Sequence, residues 1–247
     1  MKWSYRIARI SGIDIRIHLT FLLLPLFFGL TDWQKGGAAA AAESVAFILV
    51  LFFCVLLHEL GHALAGRAFG IRTPDITLLP IGGVARMERI PSHPLQELAI
   101  AVAGPAVNVA IAAAIRAALA LKGGAVAGSQ FDGFLAGLAT VNIGLVVFNC
   151  IPAFPMDGGR VLRALLALKL RYVTATKVAA RIGQGIAILF AAAGFFWNPM
   201  LVLVAVFVFS GAQQELEFAV AMERFMERLA AEQHGGGFVL EPPERRP

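Results

Sequence analysis

Cysteine is nearly missing from this chain, and charge is scarce. Cys54 and Cys150 are the only two cysteines in 247 residues, and both sit in apolar stretches, which argues against a secreted disulfide framework. Only 15% of the residues are charged against 58% hydrophobic, a balance that excludes an ordinary soluble core. The net charge of +5 comes without an aromatic-rich basic surface module, so a nucleic-acid partner is not indicated. No internal repeat and no separate soluble domain stand out.

Long apolar runs fill the space instead. Six segments, about 17–32, 44–66, 95–120, 131–151, 177–197 and 199–214, read as membrane helices. With the N-terminus in the cytoplasm, eighteen Lys and Arg fall in inside regions, Lys35 and Lys122 fall outside, and Arg116 lies near the outer end of the third segment. This bias predicts a multi-pass protein of the cell (inner or plasma) membrane with both termini cytoplasmic. The basic stretch ahead of the first run is long and patterned, and reads as structure rather than as a cleaved leader.

Two stretches carry other periods. Ile13 to His18 alternates as a strand does, with Tyr5 to Ile10 as its hairpin partner across Ser11-Gly12. Asp75 to Glu88 is too broken by Pro80 and Gly82-Gly83 to span, yet Leu78, Leu79 and Ile81 are too apolar for a solvated loop. A small sheet or re-entrant hairpin is expected there, against an interfacial loop whose glycines only make a turn. The fold class is therefore mainly α: a polytopic membrane protein with about six transmembrane helices and a small membrane-associated β-sheet or re-entrant hairpin.

The chemistry is concentrated in His58-Glu59-Leu60-Gly61-His62. Histidines four apart share a helix face, two imidazoles can bind zinc, and the glutamate between them can act as base for a water on the metal. Such a site inside an apolar helix implies a substrate that is also in the membrane. A third ligand is needed, and Asp157 after Pro152 and Pro155 is the candidate, with N-capping of the next helix as its alternative role. Asn149, just before the break, can donate to a scissile carbonyl or cap the kinked helix. Gly82, Gly83 and Val84 are candidates for binding an unwound substrate as an added strand. Asn108 and Asn142 are expected to hydrogen-bond between helices. Cys54, on the His58 face, reads as a buried thiol rather than a fourth ligand. His18 reads as interfacial.

His58-Glu59-x-x-His62 followed by Asn149-x-x-Pro152-x-x-x-x-Asp157-Gly158-Gly159 resembles the site-2 protease family of intramembrane zinc metalloproteases. Gly82-Gly83 and Gly104-Pro105-x-x-Asn108 are similar to secondary motifs of that family, and the resemblance covers nearly all of 1–212. It implies one zinc per chain on His58, His62 and Asp157, Glu59 as catalytic base and Asn149 as partner of the substrate carbonyl. It further implies single-span or membrane-anchored protein substrates, lipids as surroundings and regulated intramembrane proteolysis. Neither a PDZ nor a cystathionine-β-synthase-type domain is expected, as in the compact six-helix subgroup related to the sporulation pro-sigma-factor protease. The organisation expected is an intramembrane metalloprotease domain at 1–212, a cytoplasmic amphipathic helix at 213–233 and a disordered tail at 234–247. A metal transporter or a catalytically silent zinc-binding membrane chaperone is the alternative, and Glu59 argues against transport, which needs no base between two ligands.

Overall fold

The computed structural model describes residues 3–89, 91, 93–122 and 129–233, so the expected tail at 234–247 lies outside the described residues. The chain divides into two compact units, Met1–Phe148 and Asn149–Pro247.

The first unit begins with the expected hairpin, β1 (Ser4–Ile10) and β2 (Ile13–His18). Ser11 and Gly12 both take positive φ, 51° and 85°, the pairing that a two-residue hairpin turn requires. The next helix, α1 (Leu23–Ala68), returns the chain to β3 (Asp75–Leu79), which pairs in parallel with β2 at Asp14↔Asp75 through Ile17↔Leu78. A turn at Pro80-Ile81 leads to β4 (Gly82–Arg86), antiparallel to β3, and the sheet order β1-β2-β3-β4 leaves β4 on an edge. Within the stretch 75–88, residues 75–79 and 82–86 thus form a sheet hairpin rather than an interfacial loop. Arg86 Nε donates to Asp75 Oδ1 at 2.7 Å directly across the last pair, which holds the register and raises the guanidinium pKa.

The alternation in β2 and β3 has a packing purpose. Ile13, Ile15, Ile76 and Leu78 form one buried cluster with Leu56, Leu60 and Ala63 of α1. Burying each large aliphatic contributes about 1.5–3 kcal/mol, enough for four of them to seat a small sheet on the helix.

Helix α1 is two arms rather than one rod. Gly37 has φ 70° and ψ −160°, a conformation outside the helix that glycine tolerates. The rings of Phe21 and Phe52 meet at 4.7 Å, Ser44 hydrogen-bonds Asp32, and a methyl on Gly29 would lie 3.0 Å from Val45. Residues so far apart in sequence meet only if the helix doubles back. The arms correspond to the first two expected segments, with helix also through most of the expected loop. Next come α2 (Pro94–Leu121) and α3 (Gln130–Asn149).

The second unit holds α4 (Asp157–Ala167), α5 (Tyr172–Phe196) and α6 (Met200–Gln233). The last two form an antiparallel pair: Gln184 Nε2 donates to Gln213 Oε1 at 3.1 Å, and Gly194 approaches Val202. The hydrophobic-to-charged transition in α6 occurs within one unbroken helix. Among the described residues, five helical stretches are long and apolar enough to cross a membrane, the first being the doubled α1.

Candidate metal centre

Helix α1 presents three faces near its C-terminal end. Leu56, Leu60 and Ala63 take the sheet, Glu59 turns toward β4, and His58 and His62 turn toward α2. The helices approach closely because Gly61 leaves room: a methyl there would stand 2.9 Å from the Ala103 carbonyl.

Helix α2 answers the two histidines with the same spacing. Ile100, Gly104 and Asn108 are successive positions of an i, i+4, i+8 stripe. The Ile100 carbonyl lies 2.7 Å from His62 Nδ1, and Asn108 Oδ1 lies 2.5 Å from His58 Nδ1. A carbonyl only accepts, so His62 carries its proton on Nδ1. Both rings are buried, at 6% and 3% exposure, and their Nε2 atoms are 3.1 Å apart. Two nitrogen lone pairs held face to face repel unless a cation lies between them. Imidazoles on one tetrahedral zinc, at about 2.0–2.1 Å each, would put their nitrogens roughly 3.3 Å apart, so the pair fits that metal. At Gly104 the backbone closes over the pair, since a methyl there would reach within 2.8 Å of His58 Nε2.

Glu59 is half-buried beside the sheet edge. Gly83 packs on its side chain so closely that a methyl on Gly83 would stand 3.0 Å from Oε1. Val84, next along β4, is 41% exposed, and Gly82 has φ 135°, which a side chain would strain.

In the second unit, Asn149 is half-buried at the end of α3, and Asp157 is 6% exposed at the first position of α4. Met156 occupies the N-cap of α4, so Asp157 is not the cap. Glycines hold the intervening loop from three sides. A methyl on Gly159 would lie 2.6 Å from Phe154 N, one on Gly183 3.1 Å from Ala153 Cβ, and one on Gly211 2.9 Å from Pro155 N. Arg163, 2% exposed, stacks between Phe154 and Tyr172 at 4.9 and 5.1 Å and donates to Glu215 Oε2 at 2.8 Å. Of the residues singled out from sequence, His58, Glu59, His62 and Gly82 to Val84 come together in the first unit. Asn149 and Asp157 flank one loop in the second.

A profile of peptidase family M50 matches residues 46–130 and 119–192. This chain belongs to peptidase family M50, the site-2 protease family. As an M50 member it is 40% identical over 240 residues to a zinc metalloprotease of Methanocaldococcus jannaschii, aligning 94% of this chain and 66% of that protein. A putative zinc metalloprotease of Synechocystis is 32% identical over 207 residues, 75% of this chain and 50% of that protein. The solved site-2 protease from Methanocaldococcus jannaschii matches with TM-score 0.64 and 39% identity, over 87% of this chain and 95% of that one. The chain thus spans between half and two thirds of the length of these curated relatives. Family and apolar helices together make it a multi-pass membrane protein.

Three features around the histidines of the first unit were not legible in the sequence: the Ile100 carbonyl, the gap that Gly104 leaves over the imidazoles and the acceptor role of Asn108; in the second unit the clamp at Arg163 was not legible either. The i, i+4, i+8 spacing of the first three, matching that of the histidines, was the available signal.

Proposed function

We propose that this chain is a zinc-dependent intramembrane endopeptidase that cuts single-span or membrane-anchored proteins near the cytoplasmic side. His58, His62 and Asp157 would hold one zinc, two nitrogens and one oxygen being a three-residue donor set of the kind catalytic zinc uses. The observation that carries this reading is the pair of buried imidazoles with converging Nε2 atoms and Nδ1 atoms committed to acceptors. Burial of the Asp157 carboxylate supports the third ligand, since a buried charge needs a cation or donors. The names of the zinc metalloproteases to which the chain is similar support the metal and the reaction.

Bound zinc would supply Lewis acidity, polarising a peptide carbonyl and making a water acidic near neutral pH. Glu59 takes the proton of the attacking water and returns it to the amine nitrogen as the peptide bond breaks. Asn149 donates its amide to the carbonyl oxygen as negative charge develops there. A helical substrate hides its carbonyls in its own hydrogen bonds and must unwind before attack. The β4 edge at Gly82, Gly83 and Val84, with Gly83 against Glu59, suits an extended segment beside the base. Both termini lie in the cytoplasm, where the Lys and Arg bias puts them, so water enters from that side.

Purified protein in liposomes with a tagged single-span substrate tests the proposal. The parent should release a shortened fragment and Glu59→Gln should release none. Equal release by both would refute it. A metal transporter would instead move zinc into the liposomes without any cleavage.

A further inference from the structure

The Asn108 side chain cannot by itself ensure that its oxygen faces His58, because a flipped amide would offer a donor there instead. The fold supplies what decides it. Asn108 Nδ2 donates to Asn142 Oδ1 at 2.8 Å, and Asn142 Nδ2 donates to the Leu138 carbonyl at 2.9 Å. Asn108 and Asn142 are both 0% exposed, so water does not compete for these groups. The chain of bonds ends on a main-chain carbonyl, which can only accept. That end forces Asn142 to point its amide nitrogen at Leu138 and its oxygen at Asn108. Asn108 must then point its nitrogen at Asn142 and its oxygen at His58, which places the imidazole proton on Nδ1 and the lone pair on Nε2.

We propose that Asn142 on α3 is a positioning residue for the metal site: through Asn108 it fixes the tautomer and ring orientation of His58. This rests on the reading of His58 as a zinc ligand and adds α3 to the helices that set metal affinity. Groups that orient a ligating histidine typically change metal affinity about 10–100-fold when removed. The hydrogen bond to a simple packing partner has no such leverage on the metal.

The polarity of the chain gives a test that packing alone would not satisfy. Zinc affinity is measured by chelator competition on detergent-purified protein, for the parent and for Asn142→Leu, Asn108→Asp and the double variant. Asn142→Leu should weaken zinc about 10-fold or more, because the Asn108 amide can then flip. Asn108→Asp sets its own baseline affinity, because the carboxylate loses the donor that Asn142 Oδ1 accepts, but both of its oxygens accept and no flip can turn a donor toward His58. In the Asn108→Asp background, Asn142→Leu should therefore cost less than about 2-fold. If Asn142→Leu weakens zinc equally in both backgrounds, or in neither, the positioning role is refuted. A parent that binds no zinc refutes the metal reading instead. Far-ultraviolet circular dichroism of each variant identifies any that has lost its fold, and Asn142→Ala, which removes the acceptor without adding bulk, then replaces Asn142→Leu in both backgrounds with the same expected outcomes.

Discussion

Replacing Gly104 by alanine adds one methyl group to the middle of α2, where alanine is favoured over glycine by about 1 kcal/mol. The helix should form at least as well. At the centre, however, that methyl would stand 2.5 Å from His62 Cε1 and 2.8 Å from His58 Nε2. Carbon contacts settle at about 3.5–4.0 Å, so a ring must retreat by roughly 1 Å. His62 has little freedom to do so, because Nδ1 is held by the Ile100 carbonyl at 2.7 Å and α1 is pressed on α2 at Gly61. Metal–ligand distances tolerate only about ±0.2 Å, so the displaced ring no longer serves as a ligand. Losing a partner of a ligand costs about 10–100-fold in affinity, and displacing the ligand itself should cost at least about 100-fold. Gly144→Ala on α3, where a methyl meets nothing within 4 Å, is the control and should be silent. The assay is zinc affinity by competition with a chromogenic chelator in detergent, with circular dichroism for helix content. Parental affinity in Gly104→Ala would refute the geometry argued for the two imidazoles.

Three further outcomes test other parts of the account. Asn149→Ala should bind zinc normally and cleave a model substrate about 10²–10³-fold more slowly, as expected for one lost oxyanion donor; a parental rate would leave Asn149 as a helix cap. Gly83→Val and Val84→Pro should impair cleavage with zinc retained, the first by crowding Glu59 and the second by removing a donor from the strand edge; normal cleavage by both would mean that substrate is held elsewhere. Arg163→Leu should destabilise the protein by about 3–5 kcal/mol, because it leaves Glu215 without its buried partner, whereas Arg163→Met with Glu215→Leu should recover much of the loss in thermal unfolding.

How far the residues announce this molecule varies with sequence distance. The His58 to His62 run and the alternation of Ile13 to His18 are local periodicities, and the helix face and strand they imply are present. The sheet at 75–88 was expected as a small sheet or hairpin, but its parallel pairing with β2 was not, because the partners are separated by all of α1. The doubling of α1 at Gly37 hides in an alanine-rich run that favours helix, so an expected loop is helical up to one residue. Charge made 213–233 look like a separate helix, yet nothing between Phe209 and Glu215 breaks α6, and the helix continues. The links from His58 through Asn108 to Asn142 span 50 and 34 residues, and no local pattern encodes them.

The central claim is that two imidazoles and one carboxylate hold a zinc ion beside Glu59. Zinc X-ray absorption on the purified protein reads that ligand set directly. The account predicts one zinc per chain with a first shell of nitrogen and oxygen at about 2.0–2.2 Å, two of the scatterers being imidazoles. Glu59→Gln should leave the spectrum unchanged, and Asp157→Ala should lower zinc content with the imidazole signal intact in what remains. Sulfur at about 2.3 Å, or full zinc content in Asp157→Ala, would contradict it.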